Sequence, residues 1–443
     1  MAKPSPPQAI LLSYVAVITV GLVLFRVLPT TKGDVSLVDS LFTVTSAVTV
    51  TGLTVLNTEK ELTDVGKWLL LILIQIGGLG YMTITTFLLI TLRRKIGLKE
   101  RLVLSEALNY PGIHGLVRFL RRVVLFAVLT ELVGFFLLYL WWLPDMGYRG
   151  ALFPALFHSV SAFNNAGFSL FGDNLVRFRE DLFVNMIVIA LIVLGGIGFF
   201  VINDLYLYYT RRVRRLSTHT KLVLSLSGIL ILLGWLGLIL TELAHYSGVW
   251  AFDWKTRLTS TLFLSVSSRT AGFNTVDISL LSESSLFLLM LLMFVGASPG
   301  STGGGIKTTT FAVILLAVVS YIRGRGEVVV FSRSITQGQI HRAMVVMALS
   351  FLHIALVNLL IDRIEEKDFL STIFEVVSAF STVGLSVGGG EGVSFSAQLS
   401  PVSKLLIVVT MLVGRVGIIS FAMALIGREV HSRVRHPEAR LLL

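Results

Sequence analysis

The chain has no cysteine among its 443 residues. That excludes disulfides, thiolate nucleophiles and cysteine-ligated zinc or iron–sulfur centres. Charge is scarce too: Asp, Glu, Lys and Arg form 14% of the sequence, where a soluble domain carries about 25%. So few charges cannot clothe a water-facing surface of this size, and 54% of the residues are hydrophobic. Length alone would suggest about three soluble domains. The composition replaces that reading with a multi-span membrane protein. HExxH, nucleophile-elbow and phosphate-loop patterns are missing, and His158, His219 and His353 lack metal-ligand spacing and read as structural.

Eight mostly apolar stretches are long enough to cross a bilayer, roughly at 9–28, 67–92, 119–141, 183–208, 222–244, 285–322, 344–362 and 402–427. The sixth is too long for one straight span and is interrupted by the glycines of 296–305. The N-terminal MAKPSPPQ runs into a full span without a small-residue cleavage site, so it reads as an anchor rather than a removable signal. Basic residues gather at 93–122, 211–221, 323–342 and 428–440, which hold 21 Lys/Arg against five acids. The remainder holds 16 Lys/Arg against 21 acids. By the positive-inside rule the four basic segments and both termini are cytoplasmic. The net charge of +11 is then topology, and nucleic acid is not implied.

Four short apolar segments fill the other connections: FTVTSAVTVTGL (42–53), FHSVSAFNNAGF (157–168), FLSVSSRTAGF (263–273) and FEVVSAFSTVGL (374–385). Each carries a serine (Ser46, Ser161, Ser267, Ser378) and a glycine (Gly52, Gly167, Gly272, Gly384), and the third copy is one residue shorter. The glycines stand 115, 105 and 112 residues apart. Recurrence of this kind decides architecture before local detail does. Each unit reads as span, short helix, glycine turn, span, and a helix too short to cross must dip in and return. Irregular backbone at that depth is tolerated only where protein or water covers it. Four such turns can surround one axis, and glycine permits positive φ, so that carbonyls point inward and replace a cation's hydration shell. The short helices would aim their negative ends at the same axis. The bland alternative is that the glycines only let helices of an ordinary bundle pack. Four copies with matched flanks, opposite the basic segments, speak against it.

These residues resemble the Trk/Ktr/HKT cation transporters, most closely the membrane subunits of the bacterial Ktr branch. The resemblance runs through Thr49–Leu53, Gln75–Gly80, Ile96–Asn109, Phe163–Ser169, His219–Leu222, Arg269–Asn274, Gly305–Phe311, Ser381–Leu385 and Gly414–Gly417. It implies an all-α polytopic membrane protein of four joined span–pore helix–span repeats. Eight transmembrane helices and four re-entrant pore helices would then share pseudo-fourfold symmetry around one pore. The repeats divide at 1–108, 109–217, 218–338 and 339–443, the third holding an intramembrane gating loop at 296–307. The implied ion-binding filter comprises Thr49, Val50, Thr51 and Gly52; Asn164, Asn165, Ala166 and Gly167; Thr270, Ala271 and Gly272; and Ser381, Thr382, Val383 and Gly384. Transported K⁺ would bind there, and no other cofactor belongs to this chain. The resemblance also implies a homodimer with one pore per subunit in a bacterial cytoplasmic membrane. A cytosolic nucleotide-binding ring (KtrA-like) would be its regulator. The GGLG and GGIG runs lie inside apolar spans, so the nucleotide would sit on that separate subunit. The basic segments would dock the ring, or serve topology and anionic lipid alone.

A run as rich in glycine as GASPGSTGGGIK cannot hold a helix in hydrocarbon, so it belongs in an aqueous pore. The resemblance makes Gly300, Ser301, Thr302, Gly303, Gly304 and Gly305 a gate, with Lys307 and Arg415 as latch or barrier; a plain kink is the other reading. Intramembrane cations usually face a cavity or a counter-charge. Arg415 lies mid-span and reads as pore-facing, whereas Lys307 could also snorkel to the cytoplasm. Arg269 stands where the other copies have Thr49, Asn164 and Ser381, and is expected to turn outward. Glu131 and Glu242 read as structural, with proton coupling as the second reading. Within the family, serine at the first ring glycine accompanies sodium preference, so Gly52 favours potassium. Together the residues and the resemblance imply the pore-forming subunit of a potassium uptake system. A sodium-preferring or unselective uniporter, an ion-coupled symporter and a polytopic enzyme are the alternatives.

Overall fold

The computed structural model describes residues 5–80, 105, 115–243, 249, 252–388 and 392–426. The second half of the span expected at 67–92, the basic cluster 93–101, the motif 96–109 apart from Ser105, and the tail 428–440 fall outside the described residues.

The described chain is helical. The helices are α1 (Pro6–Val27), α2 (Leu37–Thr49), α3 (Asp64–Leu79), α4 (Leu116–Phe163), α5 (Leu182–Gly196), α6 (Phe199–Tyr209), α7 (Thr218–Glu242), α8 (Trp254–Ser267), α9 (Glu283–Phe294), α10 (Thr308–Ile322), α11 (Gln337–Ile364), α12 (Phe369–Ser381), α13 (Pro401–Val416) and α14 (Ile418–Ile426). A two-residue antiparallel pair, β1 (Val329–Val330) with β2 (Arg333–Ser334), closes the turn between α10 and α11. Among the described residues α1, α4, α7 and α11 are each long and apolar enough to cross a membrane. The 22 residues of α1 rise about 33 Å at 1.5 Å each, against a hydrocarbon core of about 30 Å.

Two segments read from sequence as straight spans are bent. The stretch at 183–208 divides into α5 and α6 at an angle of 96°, and that at 402–427 into α13 and α14 at 103°. The cause is local: Gly198 (φ 99°, ψ 132°) and Gly417 (φ 89°, ψ 133°) hold a conformation closed to other residues, and it breaks the carbonyl ladder. Gly80 ends α3 in the same way (φ 81°, ψ 133°). Arg415 therefore stands in the last turn of α13, beside a bend, rather than in mid-span. The third span and second pore segment, expected apart, form a 48-residue element broken at Gly147 (φ 69°, ψ 171°). The expected sixth span appears as α9 and α10, with 295–307 irregular between them.

Four short helices occupy the centre: α2, the 148–163 arm of α4, α8 and α12. Three start on side-chain caps, where Ser36 accepts from Asp39 N (3.0 Å), Asp253 from Thr256 N (3.3 Å) and Asp368 from Ser371 N (2.8 Å). Their leading phenylalanines, Phe42, Phe157, Phe263 and Phe374, are fully buried. Apolar side chains of α1, α3, α9, α11 and α13 pack around α2 and α12 in one continuous core, and those of α4 and α5 form a second.

Candidate ion-conduction site

Each short helix runs out into a turn of the same construction. Gly52, Gly167, Gly272 and Gly384 have φ of 89°, 70°, 76° and 93°. Two residues before each stands a non-glycine residue that is also left-handed: Val50 (56°), Asn165 (56°), Thr270 (74°) and Thr382 (50°). For branched side chains that is costly backbone, which persists only where its surroundings over-determine it. The recurring serines supply part of that constraint. Ser46 and Ser378 accept from the ring-glycine amides, Gly52 N at 3.1 Å and Gly384 N at 3.0 Å. Ser161 donates to Phe168 O at 2.7 Å, and Ser267 to Phe273 O. Serine carbonyls also accept from Thr51 N, Ala166 N, Ala271 N and Val383 N at 2.8–2.9 Å.

The four turns meet in chain order. A Cβ built on Gly52 would press on Ala166 O at 2.5 Å, and one on Gly167 would press on Ala271 O at 2.9 Å. One on Gly272 would meet Val383 O, and one on Gly384 would meet Thr51 O, which closes the circle. Each built Cβ also lies 3.0–3.1 Å from the next glycine's Cα. The ring has room for backbone only. Four helix C-termini converge on it, and their partial negative charge favours a cation.

The outer helices fit the ring through a second glycine motif, to which the sequence alone assigns no packing role. A Cβ on Gly77, Gly195 or Gly414 would overlap the carbonyl of Val48, Phe163 or Phe380, each four residues before its ring glycine. The signal was present as GGLG, GGIG and GRVG, three copies ending in the bend glycines Gly80, Gly198 and Gly417. In the third unit the segment 296–307 stands in its place, pinned at its base by the parallel bridge Val295–Ile306.

That segment lies against the inner side of the ring. Gly304 N donates to Thr382 Oγ1 (2.9 Å), Thr302 Oγ1 donates to Phe163 O (3.4 Å), and a Cβ on Gly303 would strike Thr270. Its backbone is held from two sides. Gly300 O accepts from Phe199 N (2.8 Å) at the start of α6, and Gly305 N donates to Gly414 O (3.3 Å) in α13. Arg415 donates to Thr302 O and to Gly77 O, so one guanidinium ties the segment to the end of α3. Its Nε also donates to Tyr14 Oη at 3.3 Å. Lys307 Nζ turns back to Gly303 O at 2.7 Å. Ser301 donates to Ser298 O at 2.7 Å, which tightens the turn.

A cavity of about 390 Å³ opens beyond the segment, lined among others by Gly303, Gly305, Lys307, Arg342 and Arg415. A vestibule of about 680 Å³ stands over the opposite face, touching Gly52, Gly167 and Gly384 with Glu59, Asp173, Asp277, Lys60 and Arg177. Acids are thus present at one mouth, and three cations line the chamber under the other. Arg269 turns outward, as the sequence suggests, with Nη1 donating to Ser227 O (3.4 Å) on α7. Glu242 caps α9 through Ser282 N (2.9 Å), and His158 joins Pro154 O (2.8 Å) to Ser169 Oγ (2.9 Å) behind the second turn. Two buried acids carry more than the sequence signalled. Glu375, inside α12, accepts from Ser396 N (2.9 Å) and holds the chain after the fourth turn. Glu131 joins Gln75 and Asn164.

Comparison with known proteins agrees with this geometry. Residues 13–430 match the family described as TrkH, cation transport protein. The chain is 38% identical to the Ktr system potassium uptake protein B of Bacillus subtilis over 437 residues, covering 99% of this chain and 96% of the relative. It is 36% identical over 441 residues to the Vibrio alginolyticus protein of that name, covering 100% and 95%. The crystal structure of the potassium transporter TrkH from Vibrio parahaemolyticus superposes with a TM-score of 0.75 at 19% identity, over 96% of this chain and 85% of that one. With a ring of glycine turns, a fold shared at that level and a family match over nearly its whole length, the chain belongs to the TrkH family of cation transport proteins.

Proposed function

We propose that this chain is the pore-forming subunit of a potassium uptake system, conducting K⁺ through the four glycine turns under control of the 296–307 segment. The observation that carries the reading is the closed circle in which each ring glycine abuts the carbonyl before the next, Thr51, Ala166, Ala271 or Val383. Those carbonyls, with Thr49, Val50, Asn164, Asn165, Thr270, Ser381 and Thr382 behind them, are the ligand set and its support. Backbone oxygens on a shared axis replace water around a weakly hydrated cation. Potassium follows from the relatives' names, since both are potassium uptake proteins, and from glycine rather than serine at position 52.

The segment is the gate, because it covers the inner face of the ring, and Arg415 and Lys307 hold it by its carbonyls. Eight spans and four re-entrant helices, both termini in the cytoplasm, complete the architecture in a bacterial cytoplasmic membrane. A homodimer and a separate nucleotide-binding regulatory ring complete the assembly. The Ktr system naming of the relatives supports such a partner.

The test is Rb⁺ against Na⁺ flux by the purified chain in liposomes, parent beside Gly52→Ser. A serine Cβ there meets Ala166 O and must hold φ of 89°. The parent should favour Rb⁺ and the variant should lose much of that preference. Equal ratios in two folded proteins would remove the filter reading, and flux that requires a second ion gradient would replace the pore with a coupled carrier.

A further inference from the structure

Behind the second turn lies a polar cluster that contributes no carbonyl to the closed circle. Asn164 follows the last residue of the 148–163 helix and stands three residues before Gly167, with its side chain pointing away from the ring. Its Nδ2 donates to Glu131 Oε1 (3.0 Å), Gln75 Oε1 (2.9 Å) and Val160 O (2.9 Å). Gln75 Nε2 donates to Glu131 Oε2 at 3.1 Å, which closes a triangle of three side chains from three chain segments. Glu131 is 8% exposed, and its main-chain carbonyl accepts from Ser159 Oγ at 2.6 Å. The amide of Asn164 has one workable orientation: reversed, its oxygen would face a carboxylate. As it stands, Oδ1 packs over Gly78 with no hydrogen-bond partner among the described residues. The two N–H groups of Nδ2, shared among those three acceptors, must therefore hold it.

Among the described residues the equivalent positions lack such a brace. Thr49 bonds locally to Thr45 O and Thr51 Oγ1, both at 2.7 Å, Ser381 Oγ has no partner among the described residues, and Arg269 reaches only a main-chain carbonyl. Among the described residues, only the second turn is tied through a carboxylate to two outer helices. An ionisable group inside a membrane protein is expensive to keep and faces a defined partner. Here the partners are two amides, one of them two residues from the Ala166 carbonyl that faces Gly52.

We propose that Glu131 is a positioning residue for ion selection. Through Gln75 and Asn164 it fixes the second turn, and with it the place of the Ala166 carbonyl in the ring. This rests on the filter reading above. Glutamine keeps the shape and one of the two bonds, because its amide nitrogen must face a donor, Asn164 Nδ2 or Gln75 Nε2, whereas leucine keeps volume and removes both.

The experiment is the Rb⁺/Na⁺ flux ratio per folded protein in liposomes for the parent, Glu131→Gln, Glu131→Leu, Gln75→Leu and Gly52→Ser. The ratio should fall about tenfold in Glu131→Leu, a change of about 1.4 kcal/mol. It should fall less in Gln75→Leu and in Glu131→Gln, each of which loses one arm of the triangle and keeps the bond to Asn164. If Glu131→Leu does not fold, Gln75→Leu carries the comparison, since it removes one arm and leaves the carboxylate on Asn164. A residue that merely joins helices would lower thermal stability and leave the ratio alone, and that result overturns the proposal. A shift in Gly52→Ser with none in the folded Glu131 or Gln75 variants removes the brace and spares the filter. No shift in any of them removes both.

Discussion

For single residues, the proposed gate rests on a few groups. Arg415 joins Thr302 O of the covering segment to Gly77 O and Gly78 O of α3. Hydrogen bonds from a charged donor contribute about 1.5–3 kcal/mol each, and 1.4 kcal/mol is about tenfold in an equilibrium. Arg415→Ala should therefore raise Rb⁺ flux about tenfold to a hundredfold with no regulatory partner present. Flux per folded protein is the measurement, and an unchanged value would make the arginine a brace rather than a latch. Gly414 makes a different prediction. Any Cβ there overlaps Phe380 O, and Gly305 N bonds to Gly414 O on the other side. Overpacking a tight site costs about 1–3 kcal/mol, so Gly414→Ala should lower the melting temperature in detergent, read by intrinsic fluorescence. A variant as stable as the parent would mean that α13 can withdraw from the ring.

Among elements, the short helices were legible in sequence and the bends were not. Phe, Ser and Gly at matched offsets give the four turns away, because each has a task that few residues can do: bury, bond or turn. The bends at Gly198 and Gly417 sit within runs whose hydropathy is the same on both sides, so nothing in composition separates α5 from α6 or α13 from α14. What could have separated them was the repeated spacing of GGLG, GGIG and GRVG read against the short helices. The left-handed backbone at Val50, Asn165, Thr270 and Thr382 was equally hidden, since valine and threonine ordinarily argue against it. Arg415 and the 296–307 segment were visible as exceptions, a cation and a glycine run where hydrocarbon should be. Their contact with each other was expected with Arg415 as latch, and Arg415 does donate to Thr302 O; the bend that sets the arginine beside the segment was not. The segment carries its own prediction. Deleting residues 300–304 should increase flux at unchanged yield of folded protein, since its contacts are with neighbouring units and the Val295–Ile306 bridge can still close its base. Lower flux together with lower yield would make it a connector between α9 and α10.

For the whole molecule, the first and last quarters must meet if a linear chain is to surround an axis, and polar contacts mark where they do. Lys404 Nζ pairs with Asp39 Oδ1 at 2.7 Å, and Thr54 N donates to Ser394 Oγ at 2.9 Å. The seam thus joins α13 to α2 and the chain after the first turn to that after the fourth. The expected orientation of this ring in the membrane rests on the distribution of charge. A cysteine-free chain lets single cysteines report it through an impermeant thiol reagent. Cysteines at 213 and 324 should label from the cytoplasm alone, and those at 174 and 254 from outside alone. Labelling of position 213 in intact cells would reverse the map and put the three-cation chamber outside. The account as a whole depends on where the ion sits. The most direct measurement is the anomalous scattering of rubidium in crystals of this chain, parent beside Gly52→Ser. The account predicts a peak on the axis among the carbonyls of Thr51, Ala166, Ala271 and Val383, weakened in the variant. Rubidium bound elsewhere in the molecule, with an empty axis in a well-ordered ring, would contradict it.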